Sequence, residues 1–240
     1  MTPVTSPSPN RQVVWVTGSG AKRVGATIAR RFAERGATVV VHANRSRAQG
    51  EATVAELSAH GARAMLVTGD LRDESVVARI TADILAAHGR IDVLVNSAAV
   101  WNPKPLEAVR ADDVRDHFEV NTLGTFLCCQ AIGLAMVRQA EGGVIVNIGD
   151  WAVERPYQNY SAYFPSKGAI PTLTRMFAVE LAARNPNIRV NAVLPGPVML
   201  PPELSEAERA QAVAGTLVRR EESPENVAAA VLSLVDNTFI

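Results

Sequence analysis

The chain has 240 residues, and its 24 lysines and arginines balance 24 aspartates and glutamates, so the formal net charge is zero. Hydrophobic residues make up 48% of the sequence and aromatic residues 5%, which excludes a disordered chain, a collagen-like chain and a small disulfide scaffold. The neutral balance argues against nucleic acid or an anionic membrane as a partner. The longest apolar run, 126–137, is broken by Gln130 and is too short to cross a bilayer.

Residues 1–11 are rich in proline and serine, which predicts a flexible leader before a single domain over 12–240. This leader lacks the charged and apolar regions of a secretory signal. The two cysteines, Cys128 and Cys129, are adjacent and are interpreted as small buried thiols of a reduced, cytoplasmic protein. No cysteine or histidine motif predicts a metal site. The scattered histidines are interpreted as structural: His42, His60, His88 and His117.

Short runs rich in valine and isoleucine alternate with amphipathic stretches along the chain. The runs predict strands at 13–17, 38–42, 64–68, 93–96, 144–148 and 189–194. The amphipathic stretches predict helices at 24–35, 47–60, 73–88, 113–139, 163–184 and 224–235. Nearly continuous apolar strands indicate burial on both faces, and this alternation indicates right-handed strand–helix–strand units. We therefore predict an α/β fold with one doubly wound parallel sheet and helices on both faces.

A glycine-rich turn, 17–25, separates the first predicted strand from the first predicted helix. Small residues at such a turn let the backbone approach a diphosphate, and the helix N-terminus supplies free amides, as in Rossmann-type sites. Gly18, Arg23 and Val24 are the cofactor-binding candidates of this turn. The alternative is a plain tight turn without a ligand.

The second strand ends in Asn44, Arg45 and Ser46, where a Rossmann unit meets the adenosine ribose. An acidic residue there would bind the 2′-hydroxyl of NAD, whereas Arg45 can pair with a 2′-phosphate and Ser46 can donate to it. Arg23 adds a second positive charge from the first turn. These residues predict NADP(H) as the cofactor; the alternative is that Arg45 is an ordinary solvated residue opening the next helix.

The next two strands are each followed by further cofactor-binding candidates, because ligands of open α/β sheets bind at the carboxyl ends of strands. Asp70 and Leu71 follow the third strand, and Asp70 can accept a hydrogen bond from the adenine amino group. The fourth strand leads into Asn96, Ser97 and Ala98, a turn that allows a close backbone approach.

Tyr163 and Lys167 are four residues apart and share one face of a predicted helix. A tyrosine titrates near pH ~10, and we expect the Lys167 cation to lower the pKa of the Tyr163 hydroxyl. The pair can then protonate a substrate heteroatom as hydride arrives from a nicotinamide. The alternative is a surface pair that occurs by chance.

Together with Asn121 in the predicted helix 113–139, these motifs resemble the short-chain dehydrogenase/reductase family over about 13–235. The resemblance implies a hydride transferase in which Tyr163 is the acid/base. It also implies that Lys167 holds the nicotinamide ribose and that Asn121 anchors a proton-relay water. The segment after the sixth strand resembles the family's segment beside the nicotinamide and supplies Pro195, Gly196 and Val198.

Asp150 stands where the family carries its catalytic serine, thirteen residues before Tyr163. This replacement, and the Arg45–Ser46 pair, resemble the pteridine reductase branch and dihydromonapterin reductase-like proteins. An ionised carboxylate would oppose an oxyanion that forms on a carbonyl. Asp150 therefore suits two cases: it is protonated, or the substrate offers N–H donors and a C=N bond, as a pterin ring does. The alternative is a loop residue that points away.

Aromatic residues near these positions are the substrate-binding candidates, beside Asp150 and Tyr163. Trp101 lies where pteridine reductases stack an aromatic ring on the pterin, although it can equally pack under a loop. Trp151 and Tyr160 are expected to line the same pocket, and 197–218 matches the family's substrate lid.

The sequence thus predicts an NADPH-dependent reductase of a dihydropterin or a similar small molecule with a C=N or C=O bond. The alternatives are a carbonyl reductase of 3-oxoacyl thioesters or other ketones, and a non-catalytic NADP(H)-binding sensor. The resemblance implies a homo-oligomer, a tetramer or a dimer. It also implies a seventh strand, and the sequence stops at Ile240, where that strand should begin. Either the chain is trimmed, which we favour, or the sheet lacks an edge strand and exposes unpaired backbone.

Overall fold

The computed structural model describes residues 12–200 and 205–240. The predicted leader, 1–11, and residues 201–204 of the predicted lid lie outside the described residues.

Six parallel strands form one sheet in the order β3-β2-β1-β4-β5-β6. The strands are β1 (Val13–Val16), β2 (Thr38–Ala43), β3 (Arg63–Thr68), β4 (Val93–Asn96), β5 (Gly143–Ile148) and β6 (Ile188–Val193). Each begins and ends within one residue of its predicted position. With helices on both faces of the sheet, the predicted doubly wound α/β fold is confirmed.

Helices connect consecutive strands, two more follow the last strand, and together they cover both faces of the sheet. They are α1 (Val24–Glu34), α2 (Arg47–Ala59), α3 (Glu74–His88), α4 (Ala111–His117), α5 (Gly124–Val137), α6 (Tyr163–Ala182), α7 (Glu206–Ala214) and α8 (Pro224–Asp236). The single helix predicted over 113–139 is wrong in one respect, because a π-helical turn, Phe118–Leu123, separates α4 from α5. Such turns often occur at functional sites, and this one carries Asn121.

The sheet has two apolar layers because successive strand residues point to opposite faces. In β1, Val14 and Val16 pack into the layer that contains Ile28 of α1, while Trp15 between them packs into the opposite layer with Ile132 of α5. All five side chains are fully buried. This double coverage explains why the strands are apolar without alternation.

The helical stretch Ala111–Val137 is long and apolar enough to be a candidate membrane span, with a mean hydropathy of 1.6 over its most apolar window. Half of that window is buried inside the fold. Its α5 part packs against α3, α6, β4 and β5, and Cys128, Cys129 and Met136 are fully buried there. Packing in the core accounts for its apolar composition.

The order of strands reverses between β1 and β4, which leaves a crevice at their carboxyl ends. The two turns that border this crevice are joined through Thr17. Its hydroxyl accepts hydrogen bonds from the backbone amides of Ser97 and Ala98, each at 3.0 Å. The fold therefore places the predicted site residues around one opening.

Candidate active site

A cavity of about 1620 Å³ lies over the carboxyl ends of the strands and receives residues from the turn after each of them. Most of the predicted site residues line it: Gly18, Arg23, Val24, Asn44, Asp70, Leu71, Ser97, Ala98, Trp101, Asp150, Trp151, Tyr163, Lys167, Pro195, Gly196 and Val198. Chain segments that are distant in sequence thus meet at one site.

Four predicted site residues are not in the cavity wall formed by the described residues. Arg45 is exposed next to cavity-lining Asn44, and Ser46 directly precedes α2. Asn96 turns its side chain inward, where its amide donates to Asn147 Oδ1 at 2.9 Å. Asn121 is completely buried behind the wall. Their predicted roles stay predictions.

The glycine-rich turn is shaped to receive a large ligand group. Gly18 has φ +65°, and a Cβ atom on it would lie 2.7 Å from Ala98 Cα, so this position accepts only glycine without strain. Helix α1 begins at Val24 with its N-terminus at the cavity, where its first amides are free of intrahelical partners. The diphosphate of a nicotinamide cofactor fits such a turn.

Asp70, the predicted adenine ligand, is paired with Arg72, which no sequence motif indicated. The Arg72 guanidinium donates from Nη2 to Asp70 Oδ2 at 2.7 Å and from Nε at 3.0 Å. These hydrogen bonds lower the pKa of the Asp70 carboxyl. Arg72 also lines the cavity, so its cation offsets the Asp70 carboxylate at the predicted adenine position.

His42, interpreted as structural from the sequence, also lines the cavity. The residue is 2% exposed. The Gly18 amide donates to Nδ1 at 3.1 Å, and Nε2 lies 3.0 Å from the Gly69 carbonyl oxygen. In the sequence, only its position two residues before Asn44, near the end of β2, indicated that His42 lies close to the cofactor-binding turns.

Asp150 and Tyr163 are in direct contact. The Tyr163 hydroxyl donates to Asp150 Oδ2 at 2.7 Å, and Asp150 Oδ1 accepts from the Ala152 amide at 2.8 Å, at the start of the short 3₁₀ helix Trp151–Val153. One turn along α6, the Lys167 ammonium donates to the Ile148 carbonyl oxygen at 2.8 Å. Both Tyr163 and Lys167 are buried. Three of the four predicted catalytic residues, Asp150, Tyr163 and Lys167, therefore share one wall of the cavity.

Burial and the neighbouring Asp150 carboxylate raise the pKa of Tyr163 well above its ordinary value. The expectation that Lys167 lowers it is wrong for this arrangement, because the carboxylate is the group in contact with the hydroxyl. Burial lowers the pKa of Lys167 to about 8, and the Asp150 charge only partly offsets that effect. Tyr163 is thus a neutral proton donor at neutral pH.

Asn121 holds the loop that precedes Trp101. Its Oδ1 accepts from the Val100 amide at 2.8 Å, and its Nδ2 donates to the Val100 carbonyl oxygen and to Ser166 Oγ, each at 3.0 Å. The π-helical turn thus ties the loop after β4 to α6, which carries Tyr163.

An aromatic wall, formed by Trp101, Tyr157 and Tyr160, faces the cavity next to Tyr163. Trp101 stacks on Tyr160 with ring centroids 5.1 Å apart and planes 11° apart. Tyr157 meets Tyr160 edge-on, also at 5.1 Å. Tyr160 therefore covers one indole face of Trp101, and the spacing of the two residues in the sequence did not indicate this contact.

Known proteins with similar sequences and folds agree with this geometry. Residues 12–212 match the family model described as short chain dehydrogenase. The short-chain dehydrogenase/reductase astE of Aspergillus oryzae is 35% identical over 235 residues, which are 94% of this chain and 88% of that protein. The cyclopentanol dehydrogenase of a Comamonas species is 34% identical over 232 residues, which are 95% of this chain and 91% of that protein.

A solved structure shares the whole architecture. The crystal structure of a dehydrogenase/reductase from Sinorhizobium meliloti 1021 superposes with a TM-score of 0.88 at 28% identity, and the match covers 99% of this chain and 93% of that chain. The chain belongs to the short-chain dehydrogenase/reductase family, whose members are oxidoreductases that bind a nicotinamide cofactor.

Proposed function

We propose that this protein is an NADPH-dependent reductase of the pteridine reductase type, which transfers hydride to a dihydropterin or a similar ring with a C=N bond. The observation that carries this proposal is the 2.7 Å hydrogen bond between Tyr163 and the Asp150 carboxylate. A carboxylate in the position of the family's serine suits a substrate that offers N–H donors and repels a developing oxyanion.

When bound, the nicotinamide supplies a hydride to the substrate carbon. Because its pKa is raised, the Tyr163 hydroxyl enters the reaction with its proton. Hydride addition to the carbon of the C=N bond places negative charge on the adjacent ring nitrogen, which then takes that proton. Asp150 Oδ2 then accepts a hydrogen bond from a substrate N–H. Lys167, held by the Ile148 carbonyl, supplies positive charge one turn from the phenolate. A neutral tyrosine favours reduction over oxidation, which would need a base.

NADP(H) is proposed over NAD(H) on the charges around the adenosine end of the cavity. Arg23 and Arg45 are exposed, Arg23 lines the same cavity as Asn44, the residue before Arg45, and the Asp70 carboxylate is already engaged by Arg72. A 2′-phosphate would meet arginine donors there, and Ser46 adds a hydroxyl. The alternative is that Arg45 is solvated and the enzyme uses both cofactors equally.

A carbonyl reductase is the competing function, because the cyclopentanol dehydrogenase relative is named for an alcohol substrate. NADPH oxidation with dihydrobiopterin or dihydromonapterin, set against acetoacetyl thioester, separates the two functions. Turnover of the pterin alone supports the proposal, and turnover of the thioester alone contradicts it. Tight NADPH binding without turnover of either class would indicate a non-catalytic sensor.

The Asp150→Ser and Asp150→Asn variants test the role of the carboxylate. We expect both to lose pterin reduction, since neither accepts an N–H as a charged group, while NADPH binding stays within about twofold. If Asp150→Ser keeps full pterin turnover, Asp150 has no part in proton transfer. Gain of thioester reduction in Asp150→Ser would support the oxyanion argument directly.

We further propose a homo-oligomer that buries the outer apolar residues of α5 and α6, since Leu134 is 47% and Val179 is 72% exposed. Sedimentation analysis of the wild type and of Val179→Glu tests this, and a monomeric wild type would contradict it. The buried thiols Cys128 and Cys129 fit the proposed cytoplasmic location.

A further inference from the structure

We propose that His42 is a positioning residue that locks the glycine-rich turn after β1 to the turn after β3, so that both keep the spacing required by the adenosine half of the cofactor. The inference rests on the proposed placement of that half in the cavity, and it does not depend on the identity of the substrate.

Residue 42 contacts three successive residues of the glycine-rich turn. The Gly18 amide donates to the ring Nδ1 at 3.1 Å, the His42 amide donates to Ser19 Oγ at 3.1 Å, and the Gly20 amide donates to the His42 carbonyl oxygen at 3.0 Å. On its other side, the ring Nε2 lies 3.0 Å from the Gly69 carbonyl oxygen. One residue therefore joins both turns.

These partners fix the ring in one tautomer. A backbone amide can only donate and a carbonyl oxygen can only accept. Nδ1, which faces the Gly18 amide, is therefore unprotonated, and Nε2, which faces the Gly69 carbonyl, carries the proton. The bond from the Gly18 amide requires the neutral ring, because protonation of Nδ1 would remove the acceptor. Burial lowers the pKa of His42, against the opposing effects of the Gly69 carbonyl and the Asp70 charge, which keeps this tautomer at neutral pH.

The two turns need an external tie because each pivots on a glycine. Gly18 has φ +65° and Gly69 has φ +155°, conformations in which a backbone without a side chain has many alternatives. Asp70, the predicted adenine ligand, directly follows Gly69. A shift of either glycine would change the distance between the diphosphate turn and the adenine position, and the His42 ring spans that distance.

Three substitutions separate the contributions of the two ring hydrogen bonds of His42, one to Gly18 and one to Gly69. His42→Asn keeps an acceptor near the position of Nδ1, His42→Gln keeps a donor near the position of Nε2, and His42→Leu keeps neither. Each lost neutral hydrogen bond is expected to weaken cofactor binding about 5-fold. We therefore expect about 5-fold higher dissociation constants for Asn and Gln, and about 25-fold for Leu.

The experiment is a fluorescence titration of each full-length variant with NADPH and NADH, followed by the reduced nicotinamide mononucleotide and adenosine 2′,5′-bisphosphate as half-molecules. The proposal predicts weaker binding of NADPH, NADH and the bisphosphate, and partial rescue in Asn and Gln relative to Leu. It predicts a smaller loss for the mononucleotide, which carries one phosphate but no adenosine. A variant that only folds poorly lowers the number of binding sites without changing the dissociation constant.

Equal affinities in all variants would overturn the inference, as would an equal loss for both half-molecules or the absence of rescue by Asn and Gln. If the wild type itself binds neither NADPH nor NADH, the proposed function fails instead. The two failures are therefore distinguishable.

Discussion

Lys167→Met gives the most quantitative test of the buried catalytic wall. Lys167 is 4% exposed, and burial lowers its pKa from the ordinary 10.5 to about 8. At about 1.4 kcal/mol for each pH unit of this difference, keeping the ammonium buried costs the folded protein about 3 kcal/mol at pH 7. The size of this penalty depends on pH, which makes it measurable.

The unfolded chain holds the Lys167 proton up to about pH 10.5, and the folded chain holds it only up to about pH 8. The unfolded state therefore binds more protons between these values, so the free energy of unfolding rises with pH there. The penalty shrinks from about 3 kcal/mol at pH 7 to about 1 kcal/mol at pH 10. Methionine carries no such penalty at any pH.

Urea unfolding of the cofactor-free protein, followed by circular dichroism between pH 7 and pH 10, measures this effect. We expect the stability difference between Lys167→Met and wild type to change in favour of the wild type by about 2 kcal/mol across this range. The lost hydrogen bond to the Ile148 carbonyl shifts the difference by a constant and does not affect the trend. The control Lys22→Met should show no trend, because Lys22 is exposed. A difference for Lys167→Met that stays constant with pH would refute the reasoning.

Three further predictions concern the cofactor turns and the fold. Gly18→Ala should lower the free energy of unfolding by about 1–2 kcal/mol because the residue has a positive φ. It should also weaken cofactor binding, because the new Cβ atom would lie 2.7 Å from Ala98 Cα. The control is Gly61→Ala, which has φ +81° and open space around it and should show only the loss of stability. Arg45→Glu should raise the Michaelis constant for NADPH at least about 10-fold and leave that for NADH nearly unchanged, so an equal effect on both cofactors would contradict the 2′-phosphate assignment. Arg189→Met should lower the free energy of unfolding by about 1–3 kcal/mol and leave the kinetic constants of the enzyme unchanged. The reason is that Arg189 donates to the Leu234 and Val235 carbonyl oxygens, at 2.7 and 2.9 Å, at the end of α8. A free energy of unfolding equal to that of the wild type would show that these bonds contribute nothing.

The strands and the position of the site were predictable because they depend on short-range patterns. Runs of valine and isoleucine mark strands buried on both faces, and parallel strands bring their carboxyl ends to one edge. The resemblance to the family implied that Asp150 after β5 and Tyr163 at the start of α6 share one site, and their side chains are 2.7 Å apart.

Contacts between residues that are distant in sequence were not predictable in this way. The Trp101–Tyr160 stack joins side chains 59 positions apart, and the two bonds of the His42 ring reach 24 and 27 positions along the chain. The prediction that the pKa of Tyr163 is lowered was wrong for the same reason. Sequence spacing identified the lysine one turn away, but burial and the contact with Asp150 decide the sign.

The central claim is that the Asp150–Tyr163 pair reduces a C=N bond with NADPH. The most direct measurement is the loss of NADPH absorbance on mixing the wild-type enzyme with a dihydropterin, repeated with acetoacetyl thioester and with NADH. We expect turnover of the dihydropterin with NADPH, a lower kcat/KM with NADH, and loss of turnover in Asp150→Ser. Reduction of the thioester alone, or pterin reduction that survives in Asp150→Ser, would contradict it.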